Sequence, residues 1–379
     1  MAKVLFVMKY PLVDAYSLKN KFNGQLRAVE ALGHEAYFVG YDHNYTYLIH
    51  NGERKIIKKI LFGNWKYYIH TKAFLDLFDS VRQIVKKEKF DIVYMRRCPL
   101  SYQGYRMCMD IVRSGAKLVE EIPTYPGVRE KQKFGLREIC LNYSRSWWRK
   151  VHPSLSLYTL IGDKEAFIGE IPALNIENGT DVELLPQREP VWDAEKIHIL
   201  AVASMCRWHG YDRLIQGVAQ LDAATRCTVV VDMVGDGGDG SLEQWKNMAK
   251  ELGVEEQVRF HGTQQGEALT AFFNQADVGV CSLGLYRIGF STGSILKLRE
   301  YISRGLPFVY AAEDPAIPAD ADYGLHIPND DSPVDMSAVI AFAQKMRNTP
   351  EIPGQMRRYA KDNMTWTAQF RKIFTALGM

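Results

Sequence analysis

Short apolar runs alternate along the whole chain with longer segments in which apolar residues recur every three or four positions. The first apolar run is VLFVM (4–8), and the segment 18–32 that follows has helical spacing and ends at Gly33. A glycine directly after the last periodic residue is typical of a helix C-terminus. Apolar runs that alternate with such helices are typical of βα units in a parallel sheet.

The alternation occurs twice, with an interruption at the proline-containing segment 184–192. The first series predicts strands at 4–8, 36–41, 91–95, 117–122 and 157–162 and helices at 18–32, 72–89 and 103–114. The second predicts strands at 197–204, 227–234, 257–262, 276–283 and 307–312 and helices at 211–221, 242–252, 266–274, 294–304, 336–347, 353–362 and 365–378. Two series predict an α/β protein with two doubly wound, Rossmann-like domains, and a ligand at the carboxyl ends of the strands, in a cleft that both domains face.

Composition is consistent with this picture. A chain of 379 residues with 47% hydrophobic and 24% charged residues is typical of soluble proteins with two domains. No apolar run approaches the length of about 20 residues that spans a bilayer. The N-terminal MAKVLFVMKYP reads as a first strand rather than a signal peptide. The six cysteines contain no C-x-x-C pair, so we expect no metal site and a reducing, cytoplasmic location.

The stretch VDMVGDGGDG (231–240) contains the spacing G-x-G-x-x-G at Gly235, Gly237 and Gly240 after an apolar run. That spacing is typical of dinucleotide-binding turns, which also need an acidic residue at the end of the next strand to bind a ribose. The next predicted strand ends in His261 and Gly262 instead. A nicotinamide enzyme is therefore the weaker interpretation, and we read the glycines as a turn beside the ligand site.

The segment 282–311 offers a better candidate for phosphate binding. A predicted strand ends at Leu283, and a Gly/Ser/Thr-rich loop leads into the helix that begins near Ser294. The N-terminus of a helix attracts anions, so Gly293 to Leu296 can face a diphosphate. Lys297 adds a cation, and Glu300 lies on the same helix face, where its carboxylate can accept two ribose hydroxyls. The alternative is an ordinary surface ion pair.

This segment is similar to glycosyltransferase family 4, the retaining, nucleotide-sugar-dependent enzymes of GT-B fold. The family pattern S-x-x-K-L-x-E-Y-x-x-x-G-x-P is matched by Ser294, Lys297, Leu298, Glu300, Tyr301, Gly305 and Pro307. Further stretches that resemble the family occur in the same order, namely EIPTYP (121–126), NGTD (178–181), RWHGYDRLI (207–215), VGDGG (234–238) and VRFHG (258–262). EIPTYP resembles a motif of members linked to bacterial capsule and exopolysaccharide synthesis.

The resemblance implies an acceptor-binding domain at 1–190 and a donor-binding domain at 191–364, with the C-terminal helix (365–379) packed back on the first. It also implies transfer of a sugar from a nucleotide sugar, with a UDP-sugar mildly preferred, to a lipid-linked saccharide or glycan. We expect retention of anomeric configuration, no cofactor and no metal. Contact with the donor is expected from His209, Gly210, His261, Gly262, Arg287, Thr292, Gly293, Ser294, Leu298 and Glu300.

Two positions depart from the family pattern. Thr292 stands where many members have the first of two carboxylates that contact the donor. His209 and Ser204 stand where a lysine and an arginine normally bind the phosphates. Arg207, Arg287 and Lys297 are the available replacements, and we expect Arg207 and Lys297 to act in catalysis. A packing role is an equally good interpretation of Arg207, which precedes Trp208.

Acceptor-side candidates lie at predicted strand ends of the first domain: Lys9, Tyr10, Arg96, Arg97, Thr124 and Tyr125. Glu121, at the start of EIPTYP, is the candidate for a direct catalytic role. The alternative for Glu121 is a hydrogen-bonded strand end.

The first half of the chain is basic. Residues 1–190 contain 29 Lys/Arg and 21 Asp/Glu, and the segments 52–72 and 128–152 interleave basic with aromatic residues. Such segments suit an anionic membrane surface, which predicts peripheral attachment to the inner face of a cytoplasmic membrane. Without a nucleic-acid motif we expect no nucleic-acid partner. A solvated basic face is the alternative.

Two other functions remain open at this stage. A glycosyltransferase-like subunit without activity would explain the altered positions, and a nucleotide-sugar epimerase of the same architecture would need no acceptor. Lys297, Glu300 and the glycine loops favour an active transferase.

Overall fold

The computed structural model describes residues 1–8, 16–42, 44–60, 68–125, 136–162 and 164–379. The chain divides into two compact units. Among the described residues, the first contains those up to 179 together with 366–379, and the second contains 180–365. Lys9 and Tyr10, both acceptor-side candidates, lie outside the described residues.

The first unit is built on a nine-stranded sheet in the order β4-β3-β2-β1-β5-β6-β7-β9-β8. Its strands are β1 (Lys3–Val7), β2 (Glu35–Tyr41), β3 (Tyr45–His50), β4 (Glu53–Lys59), β5 (Ile92–Arg96), β6 (Lys117–Tyr125), β7 (Leu157–Gly162), β8 (Phe167–Ile168) and β9 (Ile171–Asn175). The six strands from β2 to β9 in this order are parallel, whereas β3, β4 and β8 are antiparallel additions at the two edges.

Helices cover both faces of this sheet, because its central strands are apolar on both sides. They are α1 (Tyr16–Ala31), α2 (Tyr68–Lys87), α3 (Tyr102–Arg113), α4 (Leu136–Val151) and α12 (Trp366–Ala376). One face has a core cluster with α2, α3 and α4, and the other has a cluster with α1 and α12. On the second face Phe370 of α12 lies 5.5 Å from the rings of both Phe6 and Tyr94.

The second unit has a six-stranded parallel sheet in the order β12-β11-β10-β13-β14-β15. The strands are β10 (Ile197–Val202), β11 (Val229–Val234), β12 (Val258–Phe260), β13 (Val278–Val280), β14 (Phe308–Tyr310) and β15 (Gly324–His326). Numbered within the unit, this order is 3-2-1-4-5-6, the arrangement of the Rossmann fold. The sequence therefore predicted the fold class correctly: two Rossmann-like α/β domains are confirmed.

The helices of the second unit are α5 (Tyr211–Gln220), α6 (Ala223–Arg226), α7 (Ser241–Glu251), α8 (Gly266–Gln275), α9 (Leu296–Arg304), α10 (Met336–Arg347) and α11 (Ile352–Asn363). No helix among the described residues is long and apolar enough to span a bilayer.

The segment 180–190 belongs to the second unit, so the division falls about ten residues before the predicted boundary at 190. Its backbone bonds explain why. Arg357 of α11 donates to the carbonyl groups of Val182 and Leu185, and the N–H of Arg188 donates to the carbonyl of Arg304 at 2.9 Å. These bonds fix the segment on α9 and α11.

Candidate functional site

The candidate site of the second unit lies where the strand order reverses, between β10 and β13. In open α/β sheets the loops that leave two such strands diverge and leave a crevice for a ligand. Here the loop after β10 contacts the loop after β13, since the N–H of Leu283 donates to the carbonyl of His209 at 2.8 Å. Gly210 has a φ of 65°, and a Cβ there would lie 2.7 Å from the backbone nitrogen of Gly284. Only glycine allows this approach.

Lys297 is the cation beside the contact between the loops after β10 and β13. It lies in the first turn of α9, and its Nζ is 3.1 Å from Nδ1 of His209 and 3.4 Å from the hydroxyl of Tyr211. Burial lowers the pKa of Lys297 to about 7. No carboxylate within the described part of the chain forms an ion pair with this ammonium group. A partly buried cation without a counter-ion is suited to binding an anion.

His209 is buried, and its ring nitrogens bond to other groups of the protein. Its Nδ1 lies 2.7 Å from the Ser282 hydroxyl, and the ring also bonds to the backbone of Ser204. The ring donates to the backbone of Ser204, which places the ring proton on Nε2, so Nδ1 accepts from Lys297. Burial, together with the charge of Lys297, lowers the pKa of His209 to about 2. The ring nitrogens of His209 thus contact Lys297, Ser282 and Ser204, and its predicted contact with the donor stays a prediction.

Backbone N–H groups of the loop before α9 already donate hydrogen bonds within the protein. The N–H of Gly293 donates to the carbonyl of Glu313 at 2.9 Å, and Thr292 forms a β-bridge with Glu313. The N–H of Ile295 donates to the Asp314 carboxylate at 2.9 Å, and Asp314 also pairs with the buried Arg299. The N–H of Gly293 is therefore already bonded within the protein, and its predicted contact with a phosphate stays a prediction. Ser294 is partly buried within the same loop.

Arg287 is held by two carboxylates within the second unit. Its two terminal nitrogens each lie 2.8 Å from a carboxylate oxygen of Asp212, and it also bonds to Asp331 and Tyr286. These bonds raise the pKa of Arg287, with the Asp212 bond the largest cause. Releasing this side chain to a ligand would leave Asp212 without its partner. The predicted contact of Arg287 with the donor stays a prediction, and it requires that these bonds break.

Arg207 and Glu300 retain solvent-facing side chains. Arg207 is exposed on the loop after β10, where its N–H donates to Asp239 and its carbonyl accepts from Arg287. The interior packing alternative for Arg207 is therefore excluded. The Glu300 side chain is 29% exposed, and Arg304 donates to it at 2.9 Å. By contrast, the Leu298 side chain is fully buried in the core and offers a ligand nothing but backbone.

The glycine loop after β11 packs on the backbone of the loop after β10. A Cβ on Gly235 would lie 1.7 Å from the carbonyl oxygen of Ala203, and one on Gly237 would lie 2.7 Å from that of Met205. These glycines thus allow the backbones of the loops after β11 and β10 to approach closely, beside the contact between the loops after β10 and β13. Gly262 also contributes, since its carbonyl accepts from the N–H of Gly235 at 2.7 Å.

His261 is oriented by a carboxylate. Its Nε2 lies 2.7 Å from Oδ1 of Asp232, and His198 approaches the other oxygen of Asp232 at 3.5 Å. Burial would raise the pKa of Asp232, but the bonds with the two histidines lower it below its usual value. The His261 side chain is thus directed back onto β11.

In the first unit, Glu121 is the centre of a buried polar cluster. Its carboxylate accepts from Lys21 at 2.8 Å, Tyr94 at 2.8 Å, Arg96 at 3.0 Å and Gln25 at 3.1 Å. Burial would raise the pKa of Glu121, but Lys21 and Arg96 lower it to about 2. A carboxylate this acidic and this enclosed is poorly suited to proton transfer at neutral pH. The structure favours the hydrogen-bonded strand end over the predicted catalytic role.

Arg97 points to the opposite face of the sheet from Arg96. It donates to the buried Glu120, and its guanidinium group lies 5.4 Å from the Trp148 ring. Thr124 is exposed and Tyr125 partly exposed at the end of β6. Of the acceptor-side candidates that are described, only Arg96 joins the Glu121 cluster.

Four residues at these sites were missed from sequence: Ser282, Tyr211, Arg213 and Lys21. Arg213 is fully buried and donates to the carbonyl groups of Leu283, Pro328 and Ser332. Arg213 could have been found from the sequence, because it is a charged residue at a core-facing position of the amphipathic helix α5. No pattern indicated Lys21, which lies 100 residues from Glu121.

Part of the second unit resembles a known family. Residues 196–345, which include the loops after β10 and β13, match the family described as Glycosyl transferases group 1. A D-inositol 3-phosphate glycosyltransferase of Corynebacterium aurimucosum is 33% identical over 129 residues, which are 33% of this chain and 29% of that protein. The match therefore spans less than a third of the relative.

Solved structures share the fold over the full length. Sucrose-phosphate synthase from Thermosynechococcus elongatus is 13% identical with a TM-score of 0.65, over 100% of this chain and 99% of that chain. The catalytic domain of starch synthase IV from Arabidopsis thaliana, bound to ADP and acarbose, is 10% identical with a TM-score of 0.66, over 100% and 99%. Anabaena HepE in complex with UDP and glucose is 14% identical with a TM-score of 0.60, over 100% of both chains. These neighbours are GT-B glycosyltransferases.

Proposed function

We propose that this protein is a glycosyltransferase that transfers a sugar from a nucleoside diphosphate sugar to a saccharide acceptor. The observation that carries the proposal is the Lys297 ammonium group at the crossing of the β10 and β13 loops. It is partly buried, lies at the positive end of the α9 dipole and has no carboxylate partner in the described residues. The family match over residues 196–345 supports the same reaction class.

In the proposed reaction the bond between the sugar carbon and the diphosphate oxygen breaks, and negative charge develops on the diphosphate. Lys297 neutralises that charge, and the exposed Arg207 reaches the same diphosphate from the adjacent loop. Preorganised cations of this kind lower a barrier by several kcal/mol, roughly 3–4 for one donor. Glu300, on the same helix face as Lys297, accepts the ribose hydroxyls.

We propose a UDP-sugar as donor, since HepE, of the same fold, is solved with UDP and glucose. We propose transfer with retention of anomeric configuration: the departing phosphate accepts the proton of the acceptor hydroxyl on the face it leaves. No protein nucleophile, cofactor or metal ion takes part in this scheme. The acceptor is a lipid-linked saccharide of bacterial surface polysaccharide synthesis.

The proposed location is the inner face of the cytoplasmic membrane, and the α3–α4 face supports it. We define this face by Tyr102, Arg106, Ile139, Tyr143, Trp147 and Lys150. The side chains of Ile139, Tyr143 and Tyr102 are 66%, 51% and 49% exposed. Lys150 lies over the Trp147 ring at 4.2 Å, and Tyr102 contacts the same ring at 5.5 Å. Exposed aromatic residues with flanking cations suit an anionic lipid surface.

The donor site is tested by thermal unfolding with UDP, ADP, GDP and their glucose conjugates. A ligand at 100 times its dissociation constant stabilises by about 2.7 kcal/mol. We expect one nucleotide series to raise Tm in the wild type and not in Lys297→Met. Lys246→Met is the matched control, because Lys246 is an exposed residue of α7 paired with Glu243. Absence of any shift with all nucleotides would contradict the proposal.

Turnover separates the transferase from the other functions. Slow hydrolysis of the nucleotide sugar by the purified protein, lost in Lys297→Met, is expected of a transferase. Binding without any turnover would indicate a subunit that lacks activity, and conversion of one nucleotide sugar into its epimer would indicate an epimerase.

The α3–α4 face is tested by cosedimentation with vesicles of phosphatidylglycerol or phosphatidylcholine. We expect binding to the anionic vesicles only, and its loss in Ile139→Ser/Tyr143→Ser. Phe167→Ser is the control, since Phe167 is 60% exposed on β8, outside this face. Equal binding of all variants to both lipids would exclude the membrane proposal and leave the donor site unaffected.

A further inference from the structure

His209 and Lys297 form a pair whose geometry assigns one proton acceptor and one donor. Nζ of Lys297 is 3.1 Å from Nδ1 of His209, and that Nδ1 also lies 2.7 Å from the Ser282 hydroxyl. The second ring nitrogen remains for the bond to the backbone of Ser204. The imidazole is therefore neutral and hydrogen-bonded at both nitrogens. Its Nδ1 accepts from Lys297 and so fixes the position of Nζ.

The surroundings of the pair contain few charges. The titratable groups that act on Lys297 are the buried thiols of Cys206 and Cys281, and Tyr211 contacts it through its hydroxyl. Tyr211 in turn donates to the carbonyl of Val280 at 3.3 Å. Burial raises the pKa of Tyr211 and of both thiols, so all three are neutral at physiological pH. None of these groups compensates the charge of Lys297.

We infer that His209 is a positioning residue for the diphosphate site, and that binding of the diphosphate draws one proton from solvent onto Lys297. The inference rests on the proposed function. In the free protein above about pH 7, the cost of burying a charge favours the neutral amine of Lys297, which has a lone pair on Nζ. An arriving diphosphate supplies the missing counter-ion, so Nζ takes up a proton and becomes an ammonium group that bonds to both His209 and the phosphate.

The proton is released again when the diphosphate leaves, because the site loses its counter-ion. Affinity for the diphosphate is therefore linked to pH. With the pKa of Lys297 at about 7 in the free protein, the contribution of Lys297 to affinity is constant at pH values well below 7. Above pH 7 it falls by up to tenfold per pH unit until the raised pKa of the complex is reached.

The test is isothermal titration of the full chain with UDP at pH 8 in two buffers of different ionisation enthalpy. The difference in heat gives the number of protons bound with the nucleotide. From a pKa of about 7 we expect uptake of up to about 0.9 proton per UDP. The last phosphate ionisation of UDP, near pH 6, contributes little at pH 8. Lys297→Arg is the control: arginine is always charged, so it is expected to bind UDP without uptake.

The positioning role of His209 is tested by two variants at the same pH. His209→Phe fills the space but removes the acceptor, and we expect it to bind UDP about tenfold more weakly, the loss typical of one hydrogen bond. His209→Gln restores an acceptor oxygen, and we expect it to recover most of that loss. Circular dichroism and Tm without ligand verify that both variants are folded.

The outcomes separate the two proposals. UDP binding by the wild type without proton uptake would overturn the inference and leave the donor site intact. Unchanged affinity in a folded His209→Phe would overturn the positioning role. If the wild type binds no nucleoside diphosphate at any pH from 6 to 9, the proposed function fails and the inference fails with it.

Discussion

Arg287 and Asp212 form a two-point ion pair, in which each terminal nitrogen of the guanidinium group lies 2.8 Å from one carboxylate oxygen. Arg287 belongs to the 3-10 helix Leu285–Ile288 after β13, and Asp212 begins α5 after β10. Arg287 also donates to the carbonyl of Arg207 at 3.1 Å. The pair thus holds together the two loops that create the site of Lys297.

Arg287→Ala is expected to destabilise the protein by about 2–4 kcal/mol, because it leaves the mostly buried Asp212 carboxylate without its partner. Arg287→Lys is expected to recover less than half of this loss, since lysine cannot bond to both oxygens in one plane. Urea unfolding measures both values. Lys246→Ala, which breaks an exposed pair on α7, is the control, with an expected loss of about 0.5 kcal/mol or less. A loss this small in Arg287→Ala would contradict a structural role.

Lys297→Met is expected to stabilise the free protein at pH 7 while it abolishes nucleotide binding. Folding lowers the pKa of Lys297 from 10.5 to about 7, so between these values the unfolded chain binds more protons. Stability of the wild type therefore rises with pH from about 7 to 10.5. The variant lacks this rise and is more stable at pH 7, by on the order of a few kcal/mol. Equal dependence of Tm on pH in the two proteins would show that Lys297 is not desolvated.

Glu121→Gln and Glu120→Gln are expected to change the pH dependence of stability in opposite ways. The folded-state pKa of Glu121 is lowered from 4.5 to about 2, because its cationic partners outweigh burial. Its stabilisation is present above pH 4.5 and disappears as the pH falls towards 2. Glu121→Gln removes this and leaves Lys21 unpaired, at a cost of about 3–5 kcal/mol at pH 7.

For Glu120, burial outweighs the ion pair with Arg97 and raises the pKa from 4.5 to about 6. Its ionisation therefore reduces stability as the pH rises from 4.5 to 6. Glu120→Gln is expected to remove that decrease and to change stability little at pH 7. Unfolding curves between pH 3 and 8 compare the two variants, and identical profiles would contradict the assigned environments.

Glu300→Ala is expected to raise KM for the nucleotide sugar about tenfold or more. It is also expected to lower stability by about 1–3 kcal/mol, because it removes the carboxylate from an i, i+4 ion pair with the buried Arg304. Arg304→Gln separates the two roles, because it removes the ion pair and keeps the carboxylate. Initial-rate kinetics measure KM; an equal effect of both variants would assign Glu300 to the ion pair alone.

Elements with a strong local pattern were predicted to within a few residues. The helix expected at 336–347 is α10 (Met336–Arg347), and the strand expected at 117–122 lies within β6. The hairpin β3–β4 was missed, because its outer strand is polar on most positions and has no two-residue alternation. β15 was missed because its three residues are too short to carry a period.

The sequence by itself determined the two series of βα units, the position of Lys297 and Glu300 on one face of α9, and the glycines that allow backbone contact. These follow from short-range periodicity and from the size of a side chain. Tertiary structure alone decided the partner of each charged group. Arg287 is paired with a carboxylate 75 residues away, His209 accepts from a lysine 88 residues away, and Glu121 is enclosed by a cation 100 residues away. Burial and opposite charge select these partners after folding, so no local pattern records them.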